Sequence, residues 1–439
     1  MGSYVPSTID ERNDMLKAVG LDNIDQLFSS IPDEVKVKKL NLPLGQSELE
    51  VRRSMENIAD KNVVFKKIFR GAGAYNHYIP AIVKSVTSKE DFLTAYTPYQ
   101  AEISQGLLQA IFEYQTMICE LTGMDVSNAS VYDGATAAAE SVAMVTDKKR
   151  NKIIVSSTIH MHVLKTIKTY CEGSGVEVIV APEKDGVTDT EALKTLLDET
   201  VAGVYMQQPN FYGIIEDAEN LSELTHAAGA KFIMGCNPIS LAILKTPFEC
   251  GADIAVGEGQ PLGMPLSFGG PYLGFMACRE ALMRKLPGRI VGETVDLEGK
   301  KAFVLTLQAR EQHIRREKAS SNICSNQALC ALTASVYLSA MGHDGLIDVA
   351  NQCISKTRYL ANELCKIEGI RLKYADKEFF NEFVTTCSIK PNELLQKLEQ
   401  KGILGGYPID DGILWCATEM NSKDQIDELV ASVKEAVKR

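Results

Sequence analysis

The 439-residue chain has no run approaching the roughly 18 uninterrupted apolar residues of a helical membrane span, which excludes that class of protein. It also lacks an excess of positive charge. Its 46 Lys+Arg stand against 57 Asp+Glu for a net charge of -11, which disfavours binding to nucleic-acid phosphates or to anionic membrane surfaces. No Cys-x-x-Cys occurs among the 11 cysteines, the count is odd, and the closest pair is Cys324 and Cys330. These spacings argue against a zinc knuckle and against a thioredoxin-type redox pair. Most cysteines sit in apolar runs such as MIC, FMAC and LWCA, where they read as reduced core residues. The opening MGSYVPSTIDERNDML is polar and acidic, without the basic and apolar regions of a signal peptide. Pro6 stands where an N-myristoylation pattern needs Ser or Thr, so the expected location is the cytoplasm.

What is present is an ordinary globular composition, 45% hydrophobic and 23% charged, in a chain long enough for two or three domains. Residues 1–60 read as an arm: short helical segments at 7–19 and 24–28, broken by Pro32 and Pro43, with Ser7 as a helix cap and Gly20 as a stop. Such a segment cannot bury enough area alone. A large α/β domain is expected over 61–330. It opens with a helix from Tyr99, in which Ile103, Leu107, Ile111, Tyr114, Ile118 and Leu121 repeat at helical spacing up to Gly123. Short β-branched runs at 153–156, 176–180, 201–206 and 231–234 then alternate with helical patterns, with further strands at 254–256 and 272–277, the signature of a parallel sheet covered on both faces. From 331 to 439 the alternation stops. That segment reads as a smaller α+β domain with an antiparallel or mixed sheet.

An arm, a parallel-rich seven-stranded sheet and a C-terminal α+β domain resemble the fold type I architecture of pyridoxal-phosphate enzymes, although architecture alone does not give function. Four segments are more specific: RGAGAYNHYIPAIVKSV at 70–86, AYTPYQAEISQGLLQAIFEYQTMICELTGMDVSNASVYDGATAAAE at 95–140, GEGQPLGMPLSFGGPYLGF at 257–275 and QAREQHIRREKASSNICSNQAL at 308–329. They resemble the glycine dehydrogenase (decarboxylating) family, the P-protein of the glycine cleavage system, in its two-subunit bacterial form, and the likeness runs over almost the whole chain. With the chain length, it implies the alpha subunit. The family chemistry it implies is condensation of glycine with pyridoxal phosphate, loss of carbon dioxide, and transfer of the aminomethyl group to the lipoyl arm of H-protein.

Pyridoxal chemistry needs a lysine, a carboxylate facing the pyridine nitrogen and a phosphate cradle. The resemblance places the carboxylate at the end of the strand reading KFIMGCNP, where Gly235, Cys236 and Asn237 stand instead. No lysine occurs from Thr246 to Arg284, and Gln260 and Pro261 occupy the loop where one is expected. Lys245 precedes the strand and reads as a surface residue. VYDGATAAAE opens a helix whose free N–H groups suit phosphate, but Asp133 is its natural cap and would repel a dianion; a structural cap and an anion site are the two readings. The chain is therefore expected to hold no cofactor covalently, with pyridoxal phosphate on the lysine of a homologous beta subunit in an α2β2 assembly.

Other signals are weaker. The glycines after Gly257 do not follow G-x-G-x-x-G, which argues against a dinucleotide loop, and they stand where the resembled family has its cofactor-lysine loop, near a subunit contact. His160 and His162 would face one way on a strand but lack a third metal ligand nearby. The run at 310–318 is either a solvated charged face or a loop that orders against a partner. Tyr96, Tyr99 and Gln100, with Glu102 after them, read as a core anchor or as part of a shared site or interface, since rigid aromatics suit interface cores. Arg70, Tyr75, Asn76 and His77, flanked by Gly71 and Gly73, make the same case, and Gln260 completes the set of candidate residues. The expected partners are the beta subunit, lipoyl H-protein and glycine, with no nucleic acid and no membrane. The alternatives are a free-standing pyridoxal-phosphate enzyme of the aminotransferase or desulfurase kind, or a non-catalytic scaffold descended from one.

Overall fold

The structure is a computed structural model that describes residues 6–37, 39–93, 98–319 and 321–438. The chain divides into two units, one ending at Val64 and one beginning at Phe65. The first contains helices α1 (Ile9–Ala18) and α2 (Glu48–Ala59), neither of which has a buried residue. Thr8, rather than the expected Ser7, caps α1: its hydroxyl accepts the Glu11 N–H while the Glu11 side chain bonds back to the Thr8 backbone. A reciprocal box of this kind satisfies two free N–H groups at once, which the preceding serine would miss by one residue.

The second unit is built on helix α3 (Gln105–Thr122) and a seven-stranded sheet. In chain order its main elements are β1 (Val126–Ser127), α4 (Gly134–Val145), β2 (Lys152–Ser156), α5 (Met161–Ser174), β3 (Glu177–Ala181), then, after a short helix at Thr190–Leu196, β4 (Val201–Gln208), α6 (Ala218–Ala227), β5 (Lys231–Cys236), β6 (Ile254–Glu258) and β7 (Gly274–Cys278). The strand order is β1-β7-β6-β5-β4-β2-β3, parallel from β6 to β3 and antiparallel at β7 and β1. Successive residues feed two different cores: Ile154, Val204, Phe232 and Ala255 face one, while Ile153, Val155, Ile233 and Val256 face the other. Burial on both faces is why these strands read as continuous apolar runs.

The expected helix from Tyr99 starts later, at Gln105, and ends at Gly123 with φ 73°. Its buried face carries Leu108, Ile111, Tyr114 and Ile118. Two glutamines on it do unusual work. Gln115 accepts the Val291 N–H and donates to the Val291 carbonyl, and Gln105 does the same with Phe303. Each side-chain amide thus mimics a neighbouring strand for the hairpin β8 (Ile290–Val295) and β9 (Lys301–Thr306), a pair the alternation pattern had not announced.

Helix α7 (Ala328–Cys365) follows, kinked at Gly342, where φ 63° and ψ -174° leave the helical region. Its first half packs into the sheet core through Ala331, Ala334 and Tyr337. Its last turns enter a separate core with Leu360 and Leu364. There β10 (Ile370–Leu372), β11 (Glu382–Cys387), β12 (Tyr407–Ile409) and β13 (Gly412–Cys416) form an antiparallel sheet of order β10-β11-β13-β12, covered by α8 (Pro391–Glu399) and α9 (Lys423–Val437). Phe69 is fully buried in this core, and Lys67–Ile68 pair in parallel with Ile403–Leu404. Segment 67–69 therefore belongs with the C-terminal sheet, and the chain crosses to the large sheet only afterwards. Among the described residues no helix is long and apolar enough to cross a membrane.

Candidate functional site

A cavity of about 780 Å³ opens at the carboxyl ends of the parallel strands, where a doubly wound sheet ordinarily places its ligand. Its wall includes Asp133, His160, Gln207, Gly235, Asn237 and Glu258, from the ends of β1, β2, β4, β5 and β6 or the loops after them, and Tyr75 from the 70–77 loop. No lysine lines it.

The start of α4 is closed by the chain itself. Asp133 Oδ1 accepts the Thr136 N–H at 2.7 Å, as a cap should. Glu258 Oε2 takes the Gly134 N–H at 3.0 Å, while its Oε1 takes the N–H groups of Gln260 and Leu273 at 3.0 and 2.9 Å. A carboxylate from β6 therefore sits on the helix end that an anion would use. The approach is close enough that a Cβ on Gly134 would lie 2.8 Å from the Glu258 nitrogen. Burial pushes the Glu258 carboxyl up to about 7, against the pull of the three N–H bonds and with help from the Asp133 charge.

At the end of β5 the space beside Gly235 belongs to Tyr205, whose hydroxyl lies 2.3 Å from where a Cβ would be. Gln260 is fully buried. Its Oε1 accepts the Tyr75 N–H at 2.9 Å, and its Nε2 donates to the carbonyls of Tyr75 and Met264. Lys245 is exposed and paired with Glu219 at 2.6 Å.

His160 is not on a strand, as its spacing with His162 had suggested; it caps α5, its Nδ1 accepting the His162 N–H. The other nitrogen therefore carries the proton and donates to the Ala72 carbonyl at 2.9 Å. Burial lowers its pKa, so the ring is neutral at physiological pH.

The 70–77 loop links this cavity to the C-terminal sheet. Arg70 Nε donates to the carbonyls of Gly405 and Gly406, Tyr75 donates its hydroxyl to Glu382 at 2.7 Å, and the Ala72 N–H goes to the same carboxylate. The Asn76 carbonyl accepts from the Thr418 hydroxyl, and His77 Nδ1 lies 2.8 Å from Glu419 Oε2. Arg70, Asn76 and His77 are thus turned to the C-terminal domain and are not among the residues lining the cavity, and Gln260 holds the Tyr75 backbone. Tyr99 lies elsewhere, half-buried beneath the Arg289 guanidinium at 4.2 Å; Gln100 and Glu102 are exposed, and Tyr96 falls outside the described residues. Sequence reasoning had missed Glu258, Tyr205 and Glu382. A glutamate between two glycines was the one local sign, and its reach to Gly134 is a contact across 124 positions.

The family model for the glycine cleavage system P-protein matches residues 2–433. The chain is 49% identical over 443 residues to a probable glycine dehydrogenase (decarboxylating) subunit 1 of Moorella thermoacetica, covering 98% of this chain and 99% of that one. It is 50% identical over 438 residues to the protein of the same description from Carboxydothermus hydrogenoformans, covering 97% and 98%. Among solved structures, a glycine decarboxylase (P-protein) of the glycine cleavage system in inhibitor-bound form superposes with a TM-score of 0.94 at 40% identity, over 99% of this chain and 100% of that one. A sphingosine-1-phosphate lyase from Burkholderia pseudomallei shares the fold, with a TM-score of 0.68 at 14% identity over 92% and 94% of the two chains. With a family model and half-identical relatives both spanning nearly its full length, the chain belongs to the glycine cleavage system P-protein family.

Proposed function

We propose that this chain is the cofactor-free subunit of a heteromeric glycine decarboxylase, acting with a homologous beta subunit that holds pyridoxal phosphate. The complex removes carbon dioxide from glycine and passes the aminomethyl group to lipoyl H-protein. Relatives described as subunit 1 of a decarboxylating glycine dehydrogenase support the assignment to a multi-subunit enzyme. An α2β2 assembly in the cytoplasm fits this reading.

The observation that carries the division of labour is the Glu258 carboxylate on the Gly134 N–H. A phosphate dianion would have to displace a side chain held by three backbone donors and then sit beside Asp133. Gln260 offers no amine for an aldimine, and the Tyr205 hydroxyl fills the volume that a carboxylate at position 235 would need. The residues present do not fit pyridoxal phosphate, and no step of the reaction runs through this cavity. This chain instead supplies interface and wall to the assembly.

The test is reconstitution. Glycine–carbon dioxide exchange should require both chains, and borohydride reduction of the complex should label the beta chain alone. A stoichiometric reduced adduct on this chain would overturn the reading.

A further inference from the structure

We propose that His77, Cys353 and Glu419 form a binding site for one divalent transition-metal ion of the zinc class, separate from the strand-end cavity. One donor atom from each residue lies within 4.8 Å of the others. His77 Nδ1 is 2.8 Å, and Cys353 Sγ 3.6 Å, from the same oxygen, Glu419 Oε2. Around a tetrahedral zinc ion, bonds of about 2.0–2.3 Å set donor atoms roughly 3–4 Å apart, a range that includes the Cys353–Glu419 separation and asks the His77–Glu419 pair to open slightly.

The donor chemistry selects the metal. An imidazole, a thiol and a carboxylate suit zinc, whereas magnesium and calcium call for oxygen donors alone. Charge balances as well. The Cys353 thiol loses its proton to solvent on binding, and the resulting thiolate with the Glu419 carboxylate offsets the two positive charges in a buried place. Both side chains of the His77–Glu419 pair are more than nine-tenths buried.

Two further features point the same way. His77 Nε2 is buried without a hydrogen-bond partner, so no second contact fixes the ring tautomer and the proton is free to move there when Nδ1 takes a metal. The Tyr78 N–H holds Glu419 Oε1 at 2.6 Å, and Lys356 Nζ holds the Glu419 carbonyl at 2.5 Å, which orients Oε2 toward the cluster. A second cavity, of about 410 Å³, is lined by Tyr78, Asp348, Val349, Gln352 and Glu419. Glu419 is the one donor in its wall, so the cavity reaches the cluster from the Glu419 side. The donors come from the 70–77 loop, α7 and the turn after β13. One ion would pin together three segments that are otherwise joined by side-chain contacts.

The test uses the full-length chain, stripped with a chelator and titrated with zinc and, separately, with cobalt(II) as a spectroscopic probe. One equivalent of zinc should bind and raise the thermal midpoint, and cobalt should give a thiolate charge-transfer band. Cys353→Ser should abolish the band and weaken zinc binding at least about tenfold, while Cys324→Ser, which alters the exposed thiol, should change neither. Absence of stoichiometric uptake at micromolar zinc, or a cobalt band that survives Cys353→Ser or disappears with Cys324→Ser, would overturn the site. Should Cys353→Ser fail to fold, His77→Gln carries the test in its place, since loss of one donor should weaken zinc binding at least about tenfold and unchanged binding would overturn the site.

Discussion

Glu258 combines two opposing effects in one side chain. Three backbone donors favour its ionised form, yet burial wins and raises the carboxyl from its ordinary 4.5 to about 7. A carboxyl whose folded-state pKa is raised contributes stability fully below its unfolded value and loses it as pH climbs through the folded value. The loss between pH 4.5 and 8 is on the order of 3 kcal/mol for this group. Glu140 and Glu382 are raised by burial to about 7 as well and act in the same direction. The comparison that isolates Glu258 is therefore wild type against Glu258→Gln. Unfolding free energies measured at pH 5 and pH 8 should show wild type losing stability relative to the variant, and parallel pH curves would contradict the assignment. Gln260→Lys is the complementary test. It removes an amide that satisfies Tyr75 at both its N–H and its carbonyl, so stability should fall by about 1–3 kcal/mol. Added pyridoxal phosphate should give no aldimine absorbance in this single variant, because Glu258 and Tyr205 remain in place. An absorbance band with tight binding would show that one lysine suffices.

Among the elements, the 70–77 loop and helix α3 behave differently from their local patterns. The loop carries four candidate residues and is held by contacts to both sheets, with Glu382 gripping it twice. Helix α3 uses Gln105 and Gln115 as substitute strands, which anchors a hairpin whose far end, from Glu293 to Val295, is exposed. The turn before α3 places Tyr99 under Arg289, beside the small core of Leu108, Ile111 and Phe303. Tyr99→Ala should cost about 1–2 kcal/mol, less than a full core anchor, because the ring is half-buried and its cation–π contact is partly solvated. Urea unfolding measures this directly. Unchanged stability with a large drop in glycine–carbon dioxide exchange in the reconstituted complex would instead place Tyr99 at the shared site.

On the scale of the whole molecule, none of the described residues of the unit ending at Val64 is buried. Leu44, Val64 and Val37 are 93, 80 and 73% exposed. Apolar surface of this kind is ordinarily covered by another chain. A variant beginning at residue 65 should retain the cooperative unfolding of the larger unit, yet associate with the beta chain at least tenfold more weakly. Equal association by analytical ultracentrifugation would remove the arm from the interface.

Periodicity and composition by themselves determined the doubly wound architecture, because strands buried on both faces must be apolar throughout and each intervening helix must carry an apolar stripe. That Gly235 and Gln260 stand where the family resemblance leads one to expect a carboxylate and a lysine was equally plain, since identity at one position needs no neighbours to be read. Tertiary structure alone decided what fills those places. Glu258 meets Gly134 only because β6 and the start of α4 end side by side, and Tyr205 reaches Gly235 only because β4 and β5 pair in register. The cluster of His77, Cys353 and Glu419 is invisible in one dimension for the same reason. Its donors are separated by 66 positions between Cys353 and Glu419 and by 342 between His77 and Glu419, and a hydrogen bond or a coordination sphere is set by distance in space, to which separation along the chain is no guide.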